Sequence, residues 1–337
     1  MNARVFAASG AEPRRVRSAY RFHRRDLHAW VTMIVVCALV ILVPSLLGGF
    51  ALYLGCVIAC YAIATIGLQL MVGVAGQLSL GHAAFMAVGS YVTVLTQMKL
   101  GWGFIPAAAL AVAASAVMGL LMAQLIRLSG IYFKIATFGF GVIVYQLISN
   151  WSSITGGHTG LTQIPVADVF GWSIESRGAL FALIAVALVA TYALALRMIQ
   201  GRVGRALAAI GQNEQAALSV GVNVPGYKMI VIVLGCSMAG LGGAFLPQLN
   251  GFINPESFTW VESLLLLIMI TVGGLGSLAG AVVGTALLVV VPEYLRDFAE
   301  YKMLIFGVLL VASLALMPRG LAGVAELLAV RYGRARP

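Results

Sequence analysis

Between Asp26 and Lys99 the chain contains no Asp, Glu, Lys or Arg. A soluble fold must place charge through any stretch of that length to coat its surface. A helix needs only about 20 apolar residues to cross the hydrocarbon of a bilayer, so this block alone has room for three spans. The rest of the chain repeats the pattern: of 337 residues, 61% are hydrophobic and 9% charged. Soluble domains carry about a quarter charged residues. The solvent implied by this composition is lipid. Only helices and closed barrels satisfy their backbone there. A barrel strand would alternate apolar and polar residues, and runs such as Ser263 to Val272 do not. The expected fold is therefore all-α, a polytopic integral membrane protein.

Gly and Pro mark the breaks between spans, first at Pro44 with Gly48 and Gly49, then at Gly73 to Gly76. The pattern predicts about ten transmembrane helices, at 30–47, 50–72, 77–97, 104–126, 131–150, 179–197, 229–249, 261–275, 278–294 and 302–318. An even number puts both termini on one side. Seven arginines precede residue 26, and Arg319, Arg331, Arg334 and Arg336 close the chain. The polar segment 198–228, with Arg202, Arg205 and Lys228, falls on that same side. The opposite side holds 151–178 with Asp168, Glu175 and Arg177, and 250–262 with Glu256 and Glu262. By the positive-inside rule both termini are cytoplasmic. The domain reading is a basic N-terminal tail at 1–29, a transmembrane domain at 30–318 and a basic C-terminal tail at 319–337. The net charge of +10 belongs to these flanks and reads as topology signal and lipid contact, not as a nucleic-acid groove. The apolar run from Trp30 is too long for a signal peptide, and no small-residue cleavage site closes it. All five tryptophans fall at or beyond span ends, as an aromatic belt requires. Cys56 and Cys60 are one turn apart on a helix, without His or acidic company, and read as packing residues.

A phosphate-binding loop needs a Gly-Lys pair, and none of the four lysines (Lys99, Lys134, Lys228 and Lys302) follows a Gly. If ATP drives this chain, another subunit binds it. Ion-coupled carriers keep ionisable groups in their spans; here the spans are nearly free of them, and Glu262 and Glu293 lie near span ends. The most distinctive polar cluster is Gly73-Val74-Ala75-Gly76-Gln77-Leu78-Ser79-Leu80-Gly81-His82. Its glycines permit a sharp break. Gln77, Ser79 and His82 offer hydrogen bonds without fixed charge, and either bridge helices or line a path for a polar solute. Ser79 and His82 lack a third orienting group, which argues against a hydrolase. Gly273-Gly274-Leu275-Gly276-Ser277 is loosely similar to the first cluster, by chance or as a pseudo-repeat of broken helices. The segment 198–228 is too polar to span and offers two short helices. Asn213 caps the second, Glu214 sits in its first turn and Gly221 stops it.

Five ordered motifs over about residues 35–325 resemble one family. Gly73 to His82 with Ala83-Ala84-Phe85 is similar to the G-x-A-G-Q-[LIV]-S-L-G-H-A-A-F signature of branched-chain amino acid permeases. Glu214-Gln215-Ala216-Ala217 with Gly221 resembles the E-x-A-A-x-x-x-G coupling loop of ABC-transporter permeases. Thr155-Gly156-Gly157-His158-Thr159-Gly160-Leu161, Thr271 to Ser277, and Pro318-Arg319-Gly320-Leu321 resemble the LivM-type subunit. The resemblance implies a non-catalytic permease subunit of an importer for Leu, Ile and Val in the bacterial inner membrane. Its implied partners are a LivH-type permease, two cytoplasmic ATPases that bind the ATP and Mg, and a periplasmic binding protein. No cofactor is implied for this chain itself. The resemblance also implies that Arg202, Arg205, Glu214, Ala217 and Gly221 couple to the ATPase within a 198–228 coupling loop. Gln77, Ser79 and His82 would lie near the path, and Thr155, Gly156, Gly157 and Gly160 in the periplasmic loop 151–178 would face the binding protein. The rival readings are a permease for urea or short amides, and a stand-alone facilitator or channel.

Overall fold

The computed structural model of the protein describes residues 26–47, 49–127, 131–169, 172–294, 320, 321 and 323. The predicted span at 302–318, and nearly all of both predicted tails, lie outside the described residues. Nine helices overlap the other nine predicted spans: α1 (Asp26–Leu47), α2 (Gly49–Gln69), α3 (His82–Leu100), α4 (Phe104–Ala123), α5 (Ile131–Asn150), then, after the short α6 (Ser152–Thr155), α7 (Arg177–Gln200). Two short helices follow, α8 (Arg202–Gln212) and α9 (Glu214–Ser219), and then α10 (Val224–Asn250), α11 (Trp260–Gly273) and α12 (Leu278–Tyr294). Five of the described helical segments are long and apolar enough to cross a membrane; α11 and most of α12 are shorter apolar helices.

The chain is mostly helical rather than purely so. Two antiparallel pairs of two residues each occur outside the long helices: β1 (Leu161–Thr162) with β4 (Phe252–Ile253), and β2 (Asp168–Val169) with β3 (Trp172–Ser173). Leu161 faces Ile253 and Thr162 faces Phe252. That pairing joins the segments 151–178 and 250–262, which the charge pattern had put on one side. Asp168 accepts the Phe104 backbone N–H at 2.9 Å, and Tyr53 donates to Asn250 at 3.2 Å, so the starts of α4 and α2 lie at this end too. The segment 201–223 caps the opposite end, because α7 and α10 each run the length between them.

Helix α10 is the axis, packed on α2, α3 and α4. Lipid tails are as apolar as leucine, so close backbone approach has to hold such helices together. A Cβ on Gly89 would sit 2.0 Å from the Gly240 carbonyl oxygen, and one on Gly67 2.5 Å from that of Gly235. Cys56, Cys60 and Cys236 have no exposed surface and fill space in these seams. Helix α5, by contrast, leaves Ile131, Tyr132, Ile135, Ile143 and Leu147 more than half exposed, as a lipid-facing or subunit-facing helix does.

Candidate functional site

The 77–97 span begins later than its hydropathy suggests. Helix α2 ends at Gln69, its continuation Leu70–Val74 widens into a π turn, and α3 starts only at His82. The Gln77 N–H closes the π turn on the Met71 carbonyl at 2.8 Å, and Gly76 then takes a left-handed φ of 66°. From there the chain folds back. The His82 Nε2 donates to the Ala64 carbonyl at 3.1 Å. Ala64 lies ten residues before Val74, or about 15 Å along the helix axis. Residues 75–81 therefore run in non-helical form alongside the end of α2, at the depth of the helices.

The surrounding helices hold this segment tightly. The Leu80 N–H donates to Thr137 Oγ1 at 3.1 Å and the Ala83 N–H to Ser263 Oγ at 3.0 Å. A Cβ on Gly81 would lie 2.1 Å from the Thr137 carbonyl oxygen, so only glycine permits the approach. Of the three residues singled out here, Ser79 and His82 are fully buried and Gln77 is half-buried. Among the described residues the Ser79 hydroxyl and the His82 Nδ1 have no hydrogen-bond partner. The other His82 ring nitrogen, Nε2, ties the start of α3 back to α2 through the Ala64 carbonyl.

The second glycine motif lies against the first. Gln69 Nε2 donates to the Gly274 and Ser277 carbonyls at 3.1 and 3.3 Å, and a Cβ on Gly73 would sit 2.7 Å from the Gly276 nitrogen. Gly320 closes on the same break, 2.5 Å from Gly274 if it carried a Cβ. Three motifs far apart in sequence thus meet at one end of the bundle. Sequence reasoning missed Gln69, Thr137 and Ser263 as partners; Gln69, a carboxamide in the middle of an apolar run, was the available signal.

Helix α8 packs on that π turn as well as on α7 and α10. It buries Gly204, Leu207 and Ile210 at three-residue spacing and exposes Arg202 and Arg205. The Asn213 side chain accepts the Ala216 N–H at 3.0 Å, and Gly221 has a φ of 82°, as the cap and stop readings anticipated. Glu214 does not stand free. Its carboxylate accepts from Lys228 Nζ at 2.8 Å, tying α9 to the start of α10. Ala217 is buried, whereas Leu218 and Val220 are 51% and 78% exposed.

At the other end, the Thr-Gly-Gly motif builds the loop. Thr155 Oγ1 donates to the Ile148 and Trp151 carbonyls at 2.6 and 2.8 Å, and Thr155 and Gly157 are buried. Gly156, Gly157 and Gly160 all have positive φ, and Gly160 abuts Ile253 where a Cβ would be 2.0 Å from its carbonyl oxygen. The outward-facing residues of this turn are His158 and Thr159. Among the described residues no group of three or more His, Cys, Asp or Glu side chains is placed to hold a metal ion.

Residues 50–314 match the family described as the permease component of the branched-chain amino acid transport system. The chain is 35% identical over 285 residues to the high-affinity branched-chain amino acid transport system permease protein LivM of Salmonella typhimurium, covering 77% of this chain and 67% of that one. The LivM protein of Escherichia coli K12 is 35% identical over 287 residues, with the same coverage. The LivH permease protein of Escherichia coli K12 is 25% identical over 289 residues, 79% of this chain and 92% of that one. No solved structure matches the chain.

Proposed function

The chain belongs to the family of branched-chain amino acid permease components, and from that premise we propose that it is one membrane half of an ATP-driven importer of leucine, isoleucine and valine. It has about ten transmembrane helices, both termini in the cytoplasm, and lies in the bacterial inner membrane beside a LivH-type permease. Two cytoplasmic ATPases bind ATP and Mg, and a periplasmic binding protein delivers the solute. The chain itself is no enzyme and carries no cofactor. Its domains are a basic tail at 1–29, the transmembrane domain at 30–318 and a basic tail at 319–337.

The observation that carries the mechanism is the non-helical segment 75–81 at membrane depth. Irregular backbone is tolerated there only where protein covers it or water reaches it. Gly76 is exposed and Gln77 half-exposed, so part of this segment faces away from its own chain. The second permease and the solute path lie on that face, with Gln77, Ser79 and His82 beside the path. The loop 198–228 is the coupling element. Arg202 and Arg205, with the apolar Leu218 and Val220, meet the ATPase; Glu214, Ala217 and Gly221 hold α9 in the shape that presents them. Closure of the ATPases on ATP pushes α8, which bears on the π turn and so on the break beyond it. The periplasmic loop 151–178 meets the binding protein through His158 and Thr159, with Thr155, Gly156, Gly157 and Gly160 fixing the turn.

The test is uptake of labelled leucine by proteoliposomes. Transport is expected only when both permeases, both ATPases, the loaded binding protein and ATP are present. Equilibration of leucine by this chain alone, without ATP, would make it a facilitator and overturn the reading.

A further inference from the structure

Gln69 is the last residue of α2, set between the π turn and the second glycine break, and it has no exposed surface. Its amide donates to the carbonyls of Gly274 and Ser277, both in the turn between α11 and α12. Neither carbonyl depends on it. Gly274 already accepts the Ser277 N–H at 3.2 Å, and Ser277 accepts the Ala281 N–H at 2.9 Å. The turn closes on its own backbone, and the carboxamide adds a tie between two broken helices. The backbones meet at the same place, since a Cβ on Gly73 would press on the Gly276 nitrogen.

Helix α11 carries a second tie, where Ser263 Oγ accepts the Ala83 N–H at 3.0 Å. Ser263 lies ten residues before Gly273, the last residue of α11, so the two ties are about 15 Å apart along the helix axis. The stretch of α2 from Ala64 to Val74, beside which residues 75–81 fold back, has the same length. Helix α11 is therefore joined to the chain on both sides of the non-helical segment, through Gln69 before it and through Ala83 after it. Packed helices pass on displacement by sliding as rigid units, and a π turn inserted in a helix frequently sits at a functional site. Helix α8 bears on this π turn. The contacts form one series, from α8 through Leu70–Val74 and Gln69 to α11, and from Ser263 to the residue that follows His82.

We propose that Gln69 is a positioning residue for transport: it makes α11 follow the π turn when the ATPases move α8, so that Ser263 shifts Ala83 and with it Ser79 and His82 beside the solute path. The proposal rests on the import function argued above and deepens it. It assigns the coupling inside the membrane to one side chain buried in the bundle.

The experiment uses the complete complex in proteoliposomes with loaded binding protein, reading leucine imported and ATP hydrolysed together. A native complex that hydrolyses ATP but imports no leucine overturns the import reading, and this role with it. Given native import, Gln69→Met is the informative variant. It keeps the length of the side chain and removes both donations. It forfeits no acceptor contact, because Gln69 Oε1 has no partner among the described residues. Leucine moved per ATP is expected to fall about fivefold. Receptor-stimulated ATP hydrolysis, and the binding-protein concentration at half-maximal import, should stay within about twofold of native. Unchanged leucine per ATP, or an equal fall in import and ATP hydrolysis, overturns the role and leaves the import reading standing. A second measurement needs no substitution. In the native complex, trapping nucleotide on the ATPases with vanadate should change amide hydrogen exchange in 70–83 and in 274–281 together, several-fold in each. A change confined to one of the two stretches, or absent from both, overturns the proposal even if the Gln69 variant fails to assemble.

Discussion

The pairing of Glu214 with Lys228 separates two roles for a residue that the coupling-loop motif marks out. The Lys228 side chain is 8% exposed and that of Glu214 53%. An ion pair half open to water contributes about 1 kcal/mol or less. Loss of Glu214 also leaves a nearly buried ammonium without its carboxylate. Glu214→Lys is therefore expected to loosen α9 and to reduce both uptake and co-purification of the ATPase. The double variant Glu214→Lys with Lys228→Glu restores the pair in reverse and should recover most of both. If the double variant is as poor as the single one, Glu214 acts on the ATPase directly and the brace is the wrong account. Two glycines allow a matching contrast. Gly81→Ala drives a methyl against the Thr137 carbonyl, where its Cβ would lie 2.1 Å away, and should cost about 1–3 kcal/mol or prevent assembly. Gly76→Ala meets nothing within 4 Å and carries only the left-handed backbone penalty, about 1–2 kcal/mol. Thermal unfolding of the purified complex ranks the two, and a larger loss at Gly76 would contradict the packing described here.

At the scale of elements, hydropathy found the helices because burial in lipid leaves no other backbone solution. It misplaced the start of α3, since Gln77 to Gly81 are apolar enough on average to continue a span. What breaks the helix there is three-dimensional: the hydrogen bonds from Leu80 to Thr137 and from Ala83 to Ser263 come from helices 57 and 180 residues away. The short helices were legible because their signals are local, with Asn213 as cap and Gly221 as stop. Which of their residues point outward was not. The repeat of small residues in the motif hides that Ala217 turns inward while Leu218 and Val220 turn out. The likeness of the two glycine motifs was ambiguous in sequence, and their meeting at Gly73 and Gly276 gives it a physical meaning. The packing of α8 on the π turn yields a further prediction. Leu207 is fully buried, and Leu207→Ala in a core costs about 2–5 kcal/mol. Here the loss falls on a helix of only 11 residues. Its seat on the turn should loosen while the long helices stay folded. ATP hydrolysis should persist and leucine moved per ATP should fall several-fold; a parallel fall in both would assign Leu207 to general stability.

For the whole molecule, sidedness decides whether these parts can work together. Helices α7 and α10 separate the loop at 155–160 from the α8–α9 unit by a full helix length at each crossing, 24 and 27 residues. At 1.5 Å per residue that is at least the thickness of a hydrocarbon core. The two ends cannot share a side of the bilayer. The four native cysteines are all buried, so a polar maleimide should find little background in the chain. In intact cells, with the outer membrane made permeable, Thr159→Cys should react with a membrane-impermeant maleimide and Gln215→Cys should not. Opening the inner membrane should expose Gln215→Cys, and on the proposed docking of the ATPase on α9, excess ATPase subunits should slow its reaction. Thr159→Cys should be indifferent to the ATPase and protected by binding protein instead. The reverse pattern would put the helix pair that bears on the π turn outside the cell, out of reach of any nucleotide-driven partner. The same glycine-bound break would then be moved by the binding protein, which contradicts an importer driven from the cytoplasm.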